Sequence, residues 1–198
     1  MFLVIVYPYY KYGDKIRIWH TINYLKHCSS PFLDVGCGSG EISAAVNAAT
    51  VDVDKKHRPD VVASLLYLPF RDGCFETVSA FEVIEHVEDD ELAIRELKRV
   101  SRDKVVLTVP NALRYNFPLL PKRRRDFMSP DHKREYTLKE ILQLVSRVKM
   151  HVNRLEGIGY CLPLPKPFSN FHIGLEIFPM LFPKFATYIY LECAKVTG

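Results

Sequence analysis

Apolar and polar positions follow two rhythms along this chain. Short continuous apolar runs read as buried strands: "PFLDV" (31–35), "TVDV" (50–53), "DVVAS" (60–64), "TVSAF" (77–81) and "KVVLTV" (104–109), the last stopped by Pro110. Between them the spacing turns helical. "EISAAVNAA" (41–49) predicts a short helix, and "EDDELAIRELKRVSR" (88–102) a longer one with acids in its first turn, bases in its last, and Leu92, Leu97 and Val100 facing inward. Residues 14–28 set Ile18, Trp19, Ile22 and Leu25 near helical spacing, so an amphipathic helix is expected to lead in. Apolar strands alternating with helices mean a parallel sheet covered on both faces, an α/β fold.

Past Pro110 the rhythm weakens. Residues 111–136 carry prolines and the basic cluster "KRRRD" and read as an insertion. Thr137 and Glu140 then stand at capping-box spacing at the head of "TLKEILQLVSRV", a further helix. "MHVNRLE" (150–156) and "TYIYLECAKV" (187–196) read as strands, and 161–184 is rich in proline and aromatics. The opening "MFLVIVY" ends at Pro8, too short for a membrane span and without a basic leader, so a strand or packed segment is expected. One domain over 1–198 follows, with its core at 14–110 and insertions at 111–136 and 161–184.

Composition narrows the class without naming a function. With 198 residues, 48% hydrophobic and 25% charged, the chain can bury a full core. A net charge of +4 is too small to argue for nucleic acid by itself. Cys28, Cys37, Cys74, Cys161 and Cys193 are odd in number, scattered and without a Cys-x-x-Cys pair, which fits reduced thiols and a cytoplasmic location.

The chemistry concentrates in "LDVGCGSGE". Gly36, Gly38 and Gly40 follow a strand and precede a helix, where glycine lets the backbone turn sharply and a ligand approach closely. Dinucleotide enzymes use a similar loop, but they want Gly or Ala at its sixth position and a helix N-terminus open to a pyrophosphate. Here the sixth position is Glu41, and Asp34 stands just before the loop. Each carboxylate would repel a pyrophosphate by on the order of 1 kcal/mol or more. A ligand with cationic groups and no phosphate, such as S-adenosylmethionine, suits them better. Asp52, at the end of the next strand, is placed to accept bonds from both ribose hydroxyls.

With these residues in view the sequence resembles the class I S-adenosylmethionine-dependent methyltransferases of the type 11 group. "LDVGCGSG" is similar to their first motif and "VDVD" to their second; "LPFRDGCFETVSAFEVIEHV" and "ELKRVSRDKVVLTVPN" resemble the stretches that follow, over about residues 30–148. The resemblance implies a Rossmann-like, seven-stranded, mostly parallel sheet with helices on both faces and its last strand antiparallel. It also implies a cofactor site in which Asp34 and the backbone of Gly36, Cys37, Gly38 and Gly40 hold the methionine end, Asp52 and Val53 the ribose side, Ser64 and Leu65 the adenine, and Phe81 the sulfonium region. The family usually has Asp where this chain has Ser64, which predicts a weaker or water-mediated adenine contact.

On the acceptor side, Glu82, Glu85 and His86 fall at i, i+3 and i+4, sharing one face if the turn is helical, and "DHKREYT" supplies His132. Three roles stay open. His86, with His132, acts as base or orients the acceptor; or Glu82, Glu85, His86 and His132 bind a divalent metal that polarises a hydroxyl; or the residues brace the turn. The metal arrangement resembles quinone-biosynthesis O-methyltransferases and, with "DHKREYT", small-RNA 3′-end 2′-O-methyltransferases. The basic run 122–125 with Lys133 and Arg134 faces an anionic substrate or is a solvated face. The aromatic tail is an acceptor pocket or lid, a dimer or membrane-surface patch, or core. The expected activity is methylation of a small-molecule oxygen, nitrogen or carbon, with a metal-dependent RNA 2′-O-methyltransferase and a non-catalytic cofactor-binding protein as alternatives. Because the acids around the glycine loop repel a pyrophosphate, NAD is expected not to bind; calorimetry showing a tight NAD complex would contradict that reading.

Overall fold

The computed structural model describes residues 4–113, 129–159, 161–163, 171–175, 183 and 186–196. In chain order its elements are β1 (Val4–Pro8), α1 (Tyr9–Leu25), β2 (Phe32–Val35), α2 (Glu41–Val46), β3 (Ala49–Asp52), β4 (Val61–Val62), β5 (Phe75–Phe81), α3 (Asp90–Val100), β6 (Ser101–Pro110), α4 (Leu138–Arg147), β7 (Met150–Ile158), β8 (Cys161–Pro163), β9 (Phe171–Leu175) and β10 (Tyr188–Lys195). Short 3₁₀ turns lie at Lys55–His57 and Ile84–His86.

Seven strands make the main sheet, in the order β4-β3-β2-β5-β6-β10-β7. Strands β4, β3, β2, β5 and β6 run parallel, and β10 runs antiparallel to both of its neighbours. This is the expected Rossmann-like sheet with its last strand reversed. Strands β1, β9 and β8 form a separate antiparallel sheet. The continuous apolar run of β6 is explained by burial on both faces: Val105, Leu107 and Val109 join the core cluster under α3 and α4, while Val106 packs with Tyr24, Leu25, Phe81 and Tyr190 under α1. Among the described residues, no helix is long and apolar enough to cross a membrane.

The helix ends follow local chemistry. Asp89 caps α3, its side chain accepting from Leu92 N at 2.8 Å. Thr137 and Glu140 form the expected box, with Thr137 N donating to Glu140 Oε2 at 2.7 Å and Glu140 N to Thr137 Oγ1 at 3.3 Å.

Several boundaries differ from the sequence expectation. Helix α1 begins at Tyr9 and ends at Leu25, and Trp19 is 61% exposed rather than inward. The inward stripe of α3 is Ala93, Ile94, Leu97 and Val100, leaving Leu92 half-buried. The "DVVAS" strand shrinks to two residues, because Ala63 N turns back to Asp52 O and Leu66 N bonds Ser64 Oγ. Of the expected insertions, 114–128 with the basic run 122–125, and 164–170, 176–182 and 184, lie outside the described residues.

Arg99 fixes the loop between β4 and β5. Its guanidinium donates to Leu68 O at 2.9 Å and Phe70 O at 2.7 Å, and pairs with Glu96 and Asp72. Glu96 in turn accepts Leu68 N at 2.9 Å. The glycine turn is fixed by close approach: Gly36 has φ +74°, and a Cβ there would lie 2.3 Å from Val83 Cγ2, whereas a Cβ on Gly38 would meet nothing within 4 Å. Gly36→Ala is therefore expected to cost roughly 2–4 kcal/mol, strain plus overpacking, and Gly38→Ala about 1 kcal/mol from backbone strain alone. Urea unfolding of the pair checks this; equal losses would contradict the packing explanation.

Candidate functional site

The strands of the parallel half end together, and the predicted cofactor residues sit on those ends. Asp34 lies in β2 opposite Ser79 of β5, and is only 3% exposed. Its Oδ1 accepts Ser79 Oγ at 2.9 Å and its Oδ2 accepts Ser43 Oγ, from α2, at 2.5 Å. Burial pushes its carboxyl from the ordinary 3.8 up to about 6; the two serine bonds pull it down, and Asp52 pushes it up. It is a buried acid without a cationic partner among these contacts, which is the local field a ligand ammonium would satisfy.

The loop itself is stitched to β3. Gly36 N and Cys37 N donate to Val51 O at 2.7 and 3.2 Å, and Gly40 N to Cys37 O at 2.9 Å. Gly38 N donates to Asp52 Oδ2 at 3.0 Å, so the loop and the predicted ribose acid are one hydrogen-bonded unit. Partial burial raises the Asp52 carboxyl, but bonds from Asp54 N, Gly38 N and His57 outweigh it and hold the group below the usual range. Val53, just beyond, is 75% exposed, an apolar surface at the crevice mouth. Leu65 and Phe81 are buried, Leu65 in the core and Phe81 under α1. Ser64 Oγ accepts Leu66 N at 3.2 Å, which leaves its proton to give. The Cys37 thiol is pushed up to about 11, first by burial and then by Asp52 and Asp34, so it is not a nucleophile.

Beyond β5 the predicted acceptor-side residues converge, though not on a helical turn. Glu82 is in the left-handed region at φ +57°, and its N–H still donates to Thr108 O at 3.0 Å, so the chain leaves the strand ladder only after it. The turn that follows covers only Ile84–His86. Residues 129–136 are then drawn over it: Lys133 N and Arg134 N both donate to Glu85 O, at 2.8 and 3.4 Å. Lys133 pairs with Glu88 at 2.7 Å and Arg134 with Asp90 at 2.8 Å, and Tyr136 OH donates to Asp90 at 3.0 Å. These cations therefore brace the segment within the chain.

That bracing carries His132 to Glu85 and His86. One ligand atom from each of the three lies within 4.8 Å of the others. The imidazoles meet edge to face, centroids 4.7 Å apart, and His86 Nδ1 is 3.2 Å from Asp131 O. Glu85 is 0% exposed, and neither carboxylate oxygen has a hydrogen-bond partner. Burial, then Glu82, drive its carboxyl far above the usual range, partly offset by Arg17 of α1. His132 is lowered by burial and by His86, against the opposing pull of Glu135, whose Oε1 is 3.5 Å from His132 Nδ1.

Glu82 acts on Glu85 through its charge but is not one of the three close donors. Four neighbours escaped the sequence reading: Ser43 and Ser79, which hold Asp34, Arg17 and Glu135. Ser43, Ser79 and Glu135 lie inside stretches quoted above, but nothing in their own neighbourhood marks them as site residues; Arg17 comes from the leading helix.

The Asp34 carboxyl predicts a pH effect. Its folded-state value is raised, so the unfolded chain gives up this proton first, and the stability it contributes is full below about pH 4 and lost as pH rises through about 6. Between pH 4 and 7, Asp34→Asn is expected to gain roughly 2–3 kcal/mol relative to the parent. Denaturant unfolding at both pH values measures it; a difference independent of pH would contradict the burial argument.

Comparison with known proteins agrees with this geometry. Residues 33–109 match the family model described as a methyltransferase domain. Over 92 residues the chain is 34% identical to the uncharacterized protein MJ1252 of Methanocaldococcus jannaschii, covering 40% of this chain and 36% of that one, so it spans about a third of that relative's length. Among solved structures, it is similar to an S-adenosylmethionine-dependent methyltransferase of Thermotoga maritima (TM-score 0.63, 14% identity, 95% of each chain). A second similar structure is an S-adenosylmethionine-dependent methyltransferase of Mesorhizobium loti (TM-score 0.62, 13% identity, 92% of this chain and 99% of that). A third is the [4+2]-cyclase SpnF (TM-score 0.62, 14% identity, 91% and 82%). At such identities the likeness is one of fold, and the cyclase shows that this fold hosts more than one chemistry. The family match falls on the segment that carries the glycine turn, both acids and the "EVIEH" turn, so it is residues 33–109 that match a methyltransferase domain.

Proposed function

We propose that this protein transfers the methyl group of S-adenosylmethionine to a hydroxyl oxygen of a small-molecule acceptor, with a divalent cation held by Glu85, His86 and His132 beside Glu82. The observation that carries the reading is Glu85: a carboxylate 0% exposed, without a hydrogen-bond partner, packed against two imidazoles. A buried carboxylate left unpartnered is costly, and a bound cation removes that cost. A mixed set of carboxylate oxygen and imidazole nitrogens fits Mn²⁺, Co²⁺, Fe²⁺ or Zn²⁺. When bound, such an ion supplies a Lewis acid that eases loss of the acceptor's hydroxyl proton.

The rest of the work falls to the chain. Asp34 and the backbone of Gly36, Cys37, Gly38 and Gly40 would take the methionine end of the donor, Asp52 and Val53 the ribose side, and Ser64 and Leu65 the adenine. Phe81 would lie under the sulfonium. Methyl transfer from a sulfonium is an in-line displacement, so holding donor and acceptor in register and excluding water provides most of the rate. Without a cation in place, His86, 36% exposed at its side chain, would be the group to receive the acceptor's proton.

Stripping metal with a chelator is expected to abolish turnover on hydroxylated small molecules, and Mn²⁺ or Co²⁺ to restore it. Glu85→Gln is expected to lose the bound metal, measured by elemental analysis, while still binding S-adenosylhomocysteine. Turnover indifferent to chelator would overturn the metal and leave His86 and His132 as base or brace. Turnover of a short RNA with a free 3′ end, falling steeply with salt, would move the acceptor to RNA.

A further inference from the structure

His57, just past the "VDVD" motif, has no role in the family resemblance, yet it reaches the ribose acid. Its Nδ1 lies 3.0 Å from Asp52 Oδ2 and, facing a carboxylate, donates to it. The same carboxylate accepts Gly38 N on Oδ2 at 3.0 Å and Asp54 N on Oδ1 at 2.8 Å. A carboxylate offers about four acceptor positions. Three are filled, whereas a vicinal diol binding through both hydroxyls needs two.

One donor must therefore leave, and the three are not equally free to do so. Gly38 N is fixed by the glycine turn, whose flanking amides are bonded to Val51 O and Cys37 O. Asp54 N heads the Lys55–His57 turn, and the Asp54 side chain caps that turn by accepting Lys56 N at 2.9 Å. His57 is a side chain on a three-residue turn, 42% exposed, and its departure moves no backbone. The turn's other side chains, Lys55 and Lys56, are exposed, and Asp54 is occupied by its cap.

We propose that His57 is a gate on the ribose acid: it holds Asp52 in the free protein and withdraws when the vicinal hydroxyls of a nucleoside bind. The proposal rests on the reading of Asp52 as the ribose acid. It makes His57 a competitor of the cofactor, so removing it has the opposite sign from removing a contact. It also gives the free protein a third donor for the ribose acid, so that the carboxylate has a partner on that side when the crevice holds no diol.

The test is calorimetric titration of the full chain with S-adenosylhomocysteine, joined to the imidazole ¹⁵N spectrum of His57 during the same titration. His57→Ala is expected to bind roughly three- to tenfold more tightly than the parent, the weight of one partly exposed hydrogen bond to a charged group. In the parent, the His57 Nδ1 resonance is expected to shift on saturation as the carboxylate bond breaks. Unchanged or weaker binding by His57→Ala, or an Nδ1 resonance that does not move, would overturn the gate. Asp52→Ala separates the two readings: its binding as tightly as the parent would remove the ribose assignment itself, whatever His57 does.

Discussion

A carboxylate buried at the end of β2 is the constraint around which the crevice is built. Asp34 cannot reach water, so its two oxygens are bonded to hydroxyls from α2 and β5. Those bonds tie β2, α2 and β5 to one point and fix where the glycine turn leaves the sheet. The same carboxyl, raised by burial, is costly to ionise until a positive group arrives. A site that is cheaper with a cation in it than without one is already selective. Such a site would disfavour the diphosphates that other doubly wound folds receive at the same place.

The parallel order of the strands then sets two sites side by side. The ends of β2 and β3 present Asp34, the glycine backbone and Asp52, while the ends of β5 and β6 present Phe81 and the Glu82–His86 turn. Neither site is complete from the sheet alone. The Glu85 cluster needs residues 129–136, and these are held there by backbone bonds to Glu85 O and by ion pairs of Lys133 and Arg134 with Glu88 and Asp90. Positive charge that looks free in the sequence is thus spent on placing His132. The loop between β4 and β5 is anchored in a comparable way by Arg99.

What the sequence made legible was local. The glycine turn, the two acids at strand ends and the capping box of Thr137 and Glu140 all follow from neighbours within a few residues, and the structure has them, as it has Leu97 and Val100 inward on α3. What it hid was set at long range. Ser43 and Ser79 look like ordinary polar positions until the sheet brings them to Asp34. The extent of α1 is not legible in the sequence, because the helix has little apolar periodicity and leaves Trp19 outside. Glu82 would share a face with Glu85 and His86 if the turn were helical, but its backbone stays bonded to the partner strand and lies in the left-handed region. The Glu85 cluster was visible as residue types at suggestive spacing. Only the fold shows that the carboxylate is sealed away from water and that His132 closes over it.

The most direct test of the account is a crystal structure of the protein soaked with S-adenosylmethionine. The account expects the ligand over the ends of β2 and β3, its ammonium toward Asp34 and its ribose on Asp52, with the methyl group facing the Glu85–His86–His132 side. A clear crevice with no ligand at saturating concentration, or a ligand seated elsewhere on the fold, would contradict it.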